Sequence, residues 1–399
     1  MPQPMRVGFV SFRDILGEGI RADRIRQFLE RSGVNVLPLG VDFRRPAHGA
    51  LRTLLSADVV GASLKRLVGV GSGSTLNEYQ WAMETQVTDR SLDLAAKDVS
   101  MWMGRVDILH AEGFRAGVVC SRLAARHRVP YVYDMHGSVA MEAKLTGSQA
   151  WGRWCNAQER SIVQGARRVI VVSDDTAAFV RERYGIPGSA ITVAPNGAAP
   201  SEARAAFGVP LTVVYAGNFA AYENIMLFVR AAERARGRFR FWLIGDGKMR
   251  NNLIDEINAR SLDVAYFGRK SPAVTREFLL RAQVGFIGQT GGQVIDVPGY
   301  TNHVACPTKA FEYAICGLPS VFPPGEWAKV LLDADVGVQT ASHEPEAFVD
   351  AIASLSDEKT WQRVAANAAR VAHERFTWDE MLKPIAGLYD GLQAEREKV

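Results

Sequence analysis

The stretch PTKAFEYAICGLPSV, from Pro307 to Val321, carries the residue types and spacing with the clearest chemical meaning. Pro307 suits the first turn of a helix, Lys309 and Glu312 stand three apart and share a face, and Gly317 with Pro319 stops the helix before a strand. The N-terminus of such a helix offers unpaired backbone N–H groups to an anion, and Thr308 adds a hydroxyl. A diphosphate suits that end. Glu312, one turn deeper, can accept hydrogen bonds from two vicinal ribose hydroxyls. The plain alternative is an exposed Lys309–Glu312 pair with no ligand.

Other candidates lie at the ends of apolar runs. Gly217 and Asn218 close LTVVYAGN, a place where backbone approaches a ligand in open α/β sheets. Gly245 begins GDG, which lacks the full dinucleotide fingerprint and reads as a strand-to-helix turn near a nucleotide. His136 ends VPYVYDMHG and by local sequence alone is a satisfied histidine at a strand end. Two polar loops could bind the hydroxyls of a second substrate: RDILGEG, with Gly17 and Gly19, and HAEG, with His110 and Glu112. Asp333-Ala334-Asp335 matches a short acidic metal-binding pattern, but it falls at a helix end and is read as structural. No metal is expected.

These residues need a scaffold, and the chain supplies one twice. MRVGFVSF, VNVLPLG, VDILHAEG, VPYVYDMHG and RRVIVVSDD are short apolar strands separated by helical patterns such as IRADRIRQFLERSG and AGVVCSRLAARHR. That alternation predicts a parallel sheet covered on both faces. The cadence restarts with LTVVYAGN, FRFWLIGDG, DVAYFGR, QVGFIGQ and LPSVFPP. The fold class is therefore α/β, with two doubly wound, Rossmann-like domains and the ligand site expected in the crevice where they face each other. We divide the chain into residues 1–200 for the acceptor, a linker at 201–210, residues 211–380 for the donor, and a terminal helix at 381–399 packing back toward the first domain. Residues 51–103 are read as helices on the first sheet.

The 399-residue length fits two ordinary domains. Hydrophobic residues make up 47% and charged residues 23%, a globular balance. The net charge of +4 is small, and no basic run interleaved with aromatics suggests a nucleic-acid face. Cys120, Cys155, Cys306 and Cys316 form no C-x-x-C pair and are read as free thiols. No apolar run is long enough to span a bilayer and the start shows no leader pattern, so a cytoplasmic location is expected. ALRTLLSADVVGASLKRLVGVG, with Arg52, Lys65 and Arg66, could rest on an anionic membrane, although an ordinary amphipathic helix is the preferred reading.

The Pro307–Val321 segment resembles the nucleotide-binding helix of GT-B fold glycosyltransferases, especially the retaining group called family 4. VPYVYDMHG, RRVIVVSDDTAAFVRERYGIPGSAITVAPNG, YAGNF, WLIGDG, YFGR and RFTWDEM follow in that family's order, so the resemblance spans nearly the whole chain. It implies that His136 is catalytic, holding the donor sugar. It also implies that the backbone of Phe267, Gly268 and Arg269 reads the donor base. Two departures stand out. Family members with the full motif carry a glutamate where this chain has Val304, which leaves His303 and the backbone from Ala305 through Cys306 to Pro307 to choose the sugar. The family's basic pair at the diphosphate would fall near Asn218 and Glu223, neither basic, so Lys309 is the first substitute cation, with Lys248 or Arg269 next.

The resemblance thus implies a metal-independent hexosyltransferase of polysaccharide biosynthesis. It would move a sugar from a UDP- or GDP-linked donor, with no cofactor, to a hydroxyl of a glycan, lipid-linked or small-molecule acceptor, retaining configuration. The rivals are an inverting transferase or sugar-nucleotide epimerase on the same fold, and a catalytically weak nucleotide-sugar-binding partner of another transferase.

Overall fold

The computed structural model describes residues 4–12, 19–41, 73–146, 148–289, 308–325 and 328–398. It divides the chain into two units, Met1–Ala194 with Pro384–Val399, and Pro195–Lys383. Each is built on a parallel sheet, as the alternation of strands and helices requires.

In the first unit the strands are β1 (Arg6–Phe12), β2 (Asn35–Val41), β3 (Ile108–Glu112), β4 (Tyr131–Met135), β5 (Arg168–Val171) and β6 (Ile191–Val193). Their order among the described residues is β2-β1-β3-β4-β5-β6. The chain moves outward from β1 on one side and then returns to its other side with β3, which makes the β1/β3 boundary a switch point, where ligand sites of open α/β sheets form. The central strands β3 and β4 are buried along their whole length. Val10, Leu109, Val119, Tyr133 and Ile162 belong to the core that encloses them.

The second unit repeats the plan with β7 (Thr212–Asn218), β8 (Arg240–Asp246), β9 (Val264–Gly268), β10 (Val284–Phe286), β11 (Ser320–Phe322) and β12 (Gly337–Gln339), in the order β12-β11-β10-β7-β8-β9. Its switch point lies between β7 and β10. Val213, Leu243, Phe286, Val321 and Phe348 anchor its core. Helix termini follow local chemistry: Ser173 and Ser271 accept from the backbone N–H three residues on, and Gly185 takes the left-handed conformation that ends the helix Asp174–Tyr184.

The structure corrects one element. HAEG is not a loop, because His110 and Glu112 lie inside β3 and the turn begins at Gly113, which opens the helix Gly113–His127. The helix Gly73–Ser100 covers part of the stretch read as helical, while the basic segment with Arg52, Lys65 and Arg66 lies outside the described residues. Cys120, Cys155 and Cys316 are buried free thiols. Among the described residues no helix is long and apolar enough to cross a membrane.

Candidate active site

Central strands of a parallel sheet should be apolar on both faces, so a buried charge there requires a partner. β3 and β4 carry three buried polar groups: His110, Glu112 and Asp134. The register explains their meeting. Glu112 pairs with Asp134 across the β3–β4 ladder, and His110 stands two residues before Glu112 on the same face. His136 follows β4 immediately after Met135.

Each charge in this group is answered. Arg21, on the helix Gly19–Arg31, donates from Nε and Nη2 to the two oxygens of Asp134 at 3.1 and 3.2 Å. Its Nη2 also donates to the Ala194 carbonyl at 2.9 Å. His136 Nε2 lies 2.9 Å from Glu112 Oε1 and 3.8 Å from Asp134 Oδ1. His110 Nδ1 meets the Tyr389 hydroxyl at 2.8 Å, and its Nε2 is 3.5 Å from Glu112 Oε2. Phe9 stacks on the His110 ring with centroids 4.6 Å apart.

The electrostatics follow. Burial opposes the charge of His136, but Glu112 and Asp134 outweigh it and push the imidazole up to about 10. Burial also opposes ionisation of Asp134, yet Arg21 and His136 hold it below the usual carboxylate range. The Glu112 carboxyl is lowered too, against burial, chiefly by His136. Burial keeps the Tyr389 phenol protonated. The segment after His136 is held from below by Glu159, which accepts from Ser138 Oγ at 2.6 Å and from the Ala140 N–H at 3.1 Å.

His110, Glu112 and Asp134 bring ligand-type atoms within 4.8 Å of one another. Their charges are already used, since Arg21 occupies both oxygens of Asp134 and His136 faces Glu112. As they stand, these groups form an ion-pair network.

The second unit places the other candidates around β7 and the helix Thr308–Ile315. Gly217 and Asn218 end β7, and Gly245 lies opposite Gly217 in β8. A Cβ on Gly245 would stand 1.9 Å from the Gly217 carbonyl oxygen, and one on Gly217 would stand 2.5 Å from Lys309 Cε. Only glycine allows the strand ends and Lys309 to approach so closely. Phe267 and Gly268 close β9, with Phe267 packed against Phe278 and Trp242, while Arg269 is exposed beyond the strand.

Thr308 opens its helix and is exposed. Lys309 and Glu312 do not pair with each other. Lys309 Nζ donates to Glu223 at 2.7 Å in a buried contact, and Glu312 accepts from Arg276 at 3.3 Å. Arg276 further donates to the carbonyls of Ala199 and Pro200. Asp335 serves structure: it pairs with Arg363 and accepts from Asn367 at 3.1 Å. Gly17, His303, Cys306 and Pro307 lie outside the described residues, and Gly19 opens the helix that carries Arg21.

Sequence reading missed Arg21, Asp134, Arg276 and Tyr389, and named Glu223 only as a place where a basic residue of the family is absent. Asp134 carried a signal, a charge inside an apolar strand two residues before His136. The others reach the site from distant elements and carried none.

Residues 84–202 match the family described as Glycosyltransferase Family 4, and residues 210–358 match Glycosyl transferases group 1. The D-inositol 3-phosphate glycosyltransferase of Xylanimonas cellulosilytica is 27% identical over 314 residues, 72% of this chain and 72% of its own. That of Nocardiopsis dassonvillei is 26% identical over 318 residues, 73% of this chain and 71% of its own. Sucrose-phosphate synthase from Thermosynechococcus elongatus superposes with a TM-score of 0.73 at 14% identity, covering 98% of this chain and 100% of that one. HepE of Anabaena, solved in complex with UDP-glucose, gives 0.68 at 16% identity, covering 97% and 100%. At these identities the two solved structures speak for the fold.

Proposed function

We propose, from the premise that the chain belongs to the glycosyltransferases of the GT-B fold, that it transfers a sugar from a nucleotide diphosphate donor to an acceptor hydroxyl, with retention of configuration. The observation that carries the reading is the pair of strand-end sites. One offers Glu312 and a helix N-terminus beside the β7 glycine turn, the other a cationic histidine at the end of β4.

In the second unit, Glu312 takes the ribose hydroxyls and the Thr308 end of its helix takes the diphosphate, whose growing charge must be stabilised as the glycosidic bond breaks. His136 takes the transferring sugar. As an imidazolium it donates a hydrogen bond and cannot accept the acceptor's proton, which disfavours an inverting reaction with His136 as base. The acceptor proton passes instead to the leaving phosphate on the same face. No metal or cofactor takes part in this scheme. The donor is a UDP- or GDP-sugar, and the UDP-glucose complex of HepE puts UDP-glucose first in the screen. The acceptor is a hydroxyl of a glycan, a lipid-linked sugar or a small polyol. The names of the curated relatives add an inositol phosphate to the panel.

A thermal-shift screen across nucleotide sugars and free nucleotides tests donor binding, because a ligand that binds only the folded state raises apparent stability. Product analysis by NMR then reads the anomer. A base-selective shift followed by a retained anomer is expected; an inverted anomer overturns retention. The Lys309–Glu223 pair favours one second reading, since it occupies the first substitute cation for the diphosphate. Donor binding without turnover on any acceptor would support a binding partner instead of an enzyme.

A further inference from the structure

The acid beside His136 has more than one way of being satisfied, and the geometry selects among them. Asp134 is committed to Arg21 through both oxygens, so Glu112 is the carboxylate left to answer the imidazole. The 2.9 Å approach of His136 Nε2 to Glu112 is not aligned as a hydrogen bond. Both Glu112 oxygens and the Nε2 atoms of His110 and His136 are buried without an aligned partner. What holds the pair is therefore charge against charge. A neutral imidazole would leave a buried carboxylate uncompensated, whereas an imidazolium balances it. Among the described residues the groups facing His136 are Glu112 and His110 on β3, Asp134 on β4, Arg21 on the first helix, and Tyr389 behind His110. Arg21 with His136 balances Asp134 with Glu112, while His110 Nδ1 meets the Tyr389 hydroxyl.

We propose that Glu112 is a positioning residue for sugar transfer: its buried carboxylate turns Nε2 of His136 inward, leaving Nδ1–H as the donor to the sugar. The inference rests on the reading of His136 as the group that meets the transferred sugar. Its consequence is specific. About a third of the His136 side chain (32%) remains accessible while Nε2 is buried, and Nδ1 has no partner among the described residues. The net charge beside the reacting carbon stays near zero, so an oxocarbenium-like transition state meets a hydrogen-bond donor without the repulsion of an unpaired cation. Glu112 touches no substrate in this scheme; it acts only through His136.

The test uses the full chain with ¹⁵N-labelled histidine, following the ring nitrogens by NMR from pH 6 to 10.5 and assigning His136 by the signal lost in His136→Gln. In the wild type His136 is expected to stay doubly protonated through neutral pH. In Glu112→Gln it should titrate about one to three pH units lower. The same variant should lose about 10- to 100-fold in kcat with donor KM little changed, the mark of a displaced group near the reacting atoms. Glu112→Asp retains the charge and should keep His136 protonated while lowering kcat through the shorter reach; it serves also if Glu112→Gln does not fold. A wild-type His136 that titrates near the ordinary histidine value, or a Glu112→Gln protein with unchanged titration and unchanged kcat, overturns the proposal. If His136→Ala keeps full turnover, the sugar assignment of His136 fails, yet the titration still shows whether Glu112 holds the ring.

Discussion

Lys309 and Glu223 lie 86 positions apart in sequence and meet at 2.7 Å, with their side chains 9% and 10% exposed. The Lys309 ammonium also stands 5.1 Å from the centre of the Tyr215 ring. Where the family resemblance calls for a basic residue near position 223, this chain has an acid, and the lysine one helix away answers it. The pair is self-neutralising at the turn where a diphosphate would need positive charge.

Breaking the pair from one side should be costly. Lys309→Met leaves a buried carboxylate unanswered, which costs about 3–5 kcal/mol, whereas removing both charges in Lys309→Met with Glu223→Leu should recover most of that loss. Denaturant midpoints of the two single variants and the double variant measure it. Glu223→Gln should be destabilised when free, and a saturating diphosphate donor should raise its Tm more than that of the wild type, because the ligand supplies the missing anion. An equal shift in both proteins would show that Lys309 never turns to the donor.

Glu312 should behave differently. Its ion pair with Arg276 is partly exposed, at 38% and 28%, so its loss should cost stability under about 1 kcal/mol. The ribose it is assigned does not change during the reaction, so Glu312→Ala should raise donor KM about 10- to 100-fold and leave kcat nearly intact. Steady-state kinetics at saturating acceptor separate the two parameters. Unchanged donor affinity would remove Glu312 from the ribose.

What was legible in the sequence divides along physical lines. Alternating apolar strands and helices gave the α/β class, because local pattern and burial agree there. Glu312 and His136 were found where a helix starts and a strand ends. Glu112 was misread as a loop residue because its charge, set in VDILHAEG before a glycine, looks solvated. The register sets Glu112 against Asp134, and its carboxylate is buried 2.9 Å from His136 Nε2. Lys309 and Glu312 looked paired at helical spacing, but each turns to a partner from another element, Glu223 or Arg276. Such choices depend on register and on distant residues, which a one-dimensional pattern does not encode.

The network around His136 fixes the pH dependence of stability. A folded-state value raised to about 10, against about 6.5 unfolded, means a contribution fully present below about pH 6.5 and lost as pH rises through about 10. Asp134 and Glu112 are lowered, so their contribution is present above the ordinary carboxylate range and lost as pH falls through their folded values. Thermal unfolding of the wild type should therefore weaken on both sides. His136→Gln should lower Tm at neutral pH and flatten the alkaline limb. An alkaline limb of unchanged slope would place the titrating group elsewhere.

Two glycines should respond to alanine in opposite directions. Gly245 takes a positive φ of 136°, and its Cβ would stand 1.9 Å from the Gly217 carbonyl oxygen, a backbone atom that cannot swing aside. Gly245→Ala should therefore destabilise by about 3 kcal/mol or more, combining backbone strain with overpacking, and should weaken donor binding because the β7 and β8 ends move apart. Gly387 is exposed inside the helix Trp378–Glu397, and nothing lies within 4 Å of the position of its Cβ. There the main effect of Gly387→Ala is to restrict the unfolded chain and favour the helix, a gain of about 0.5–1 kcal/mol. Denaturant unfolding of both variants beside the wild type reads the signs. A Gly245→Ala protein as stable as the wild type would mean that the β7 and β8 ends do not require the close approach at Gly217.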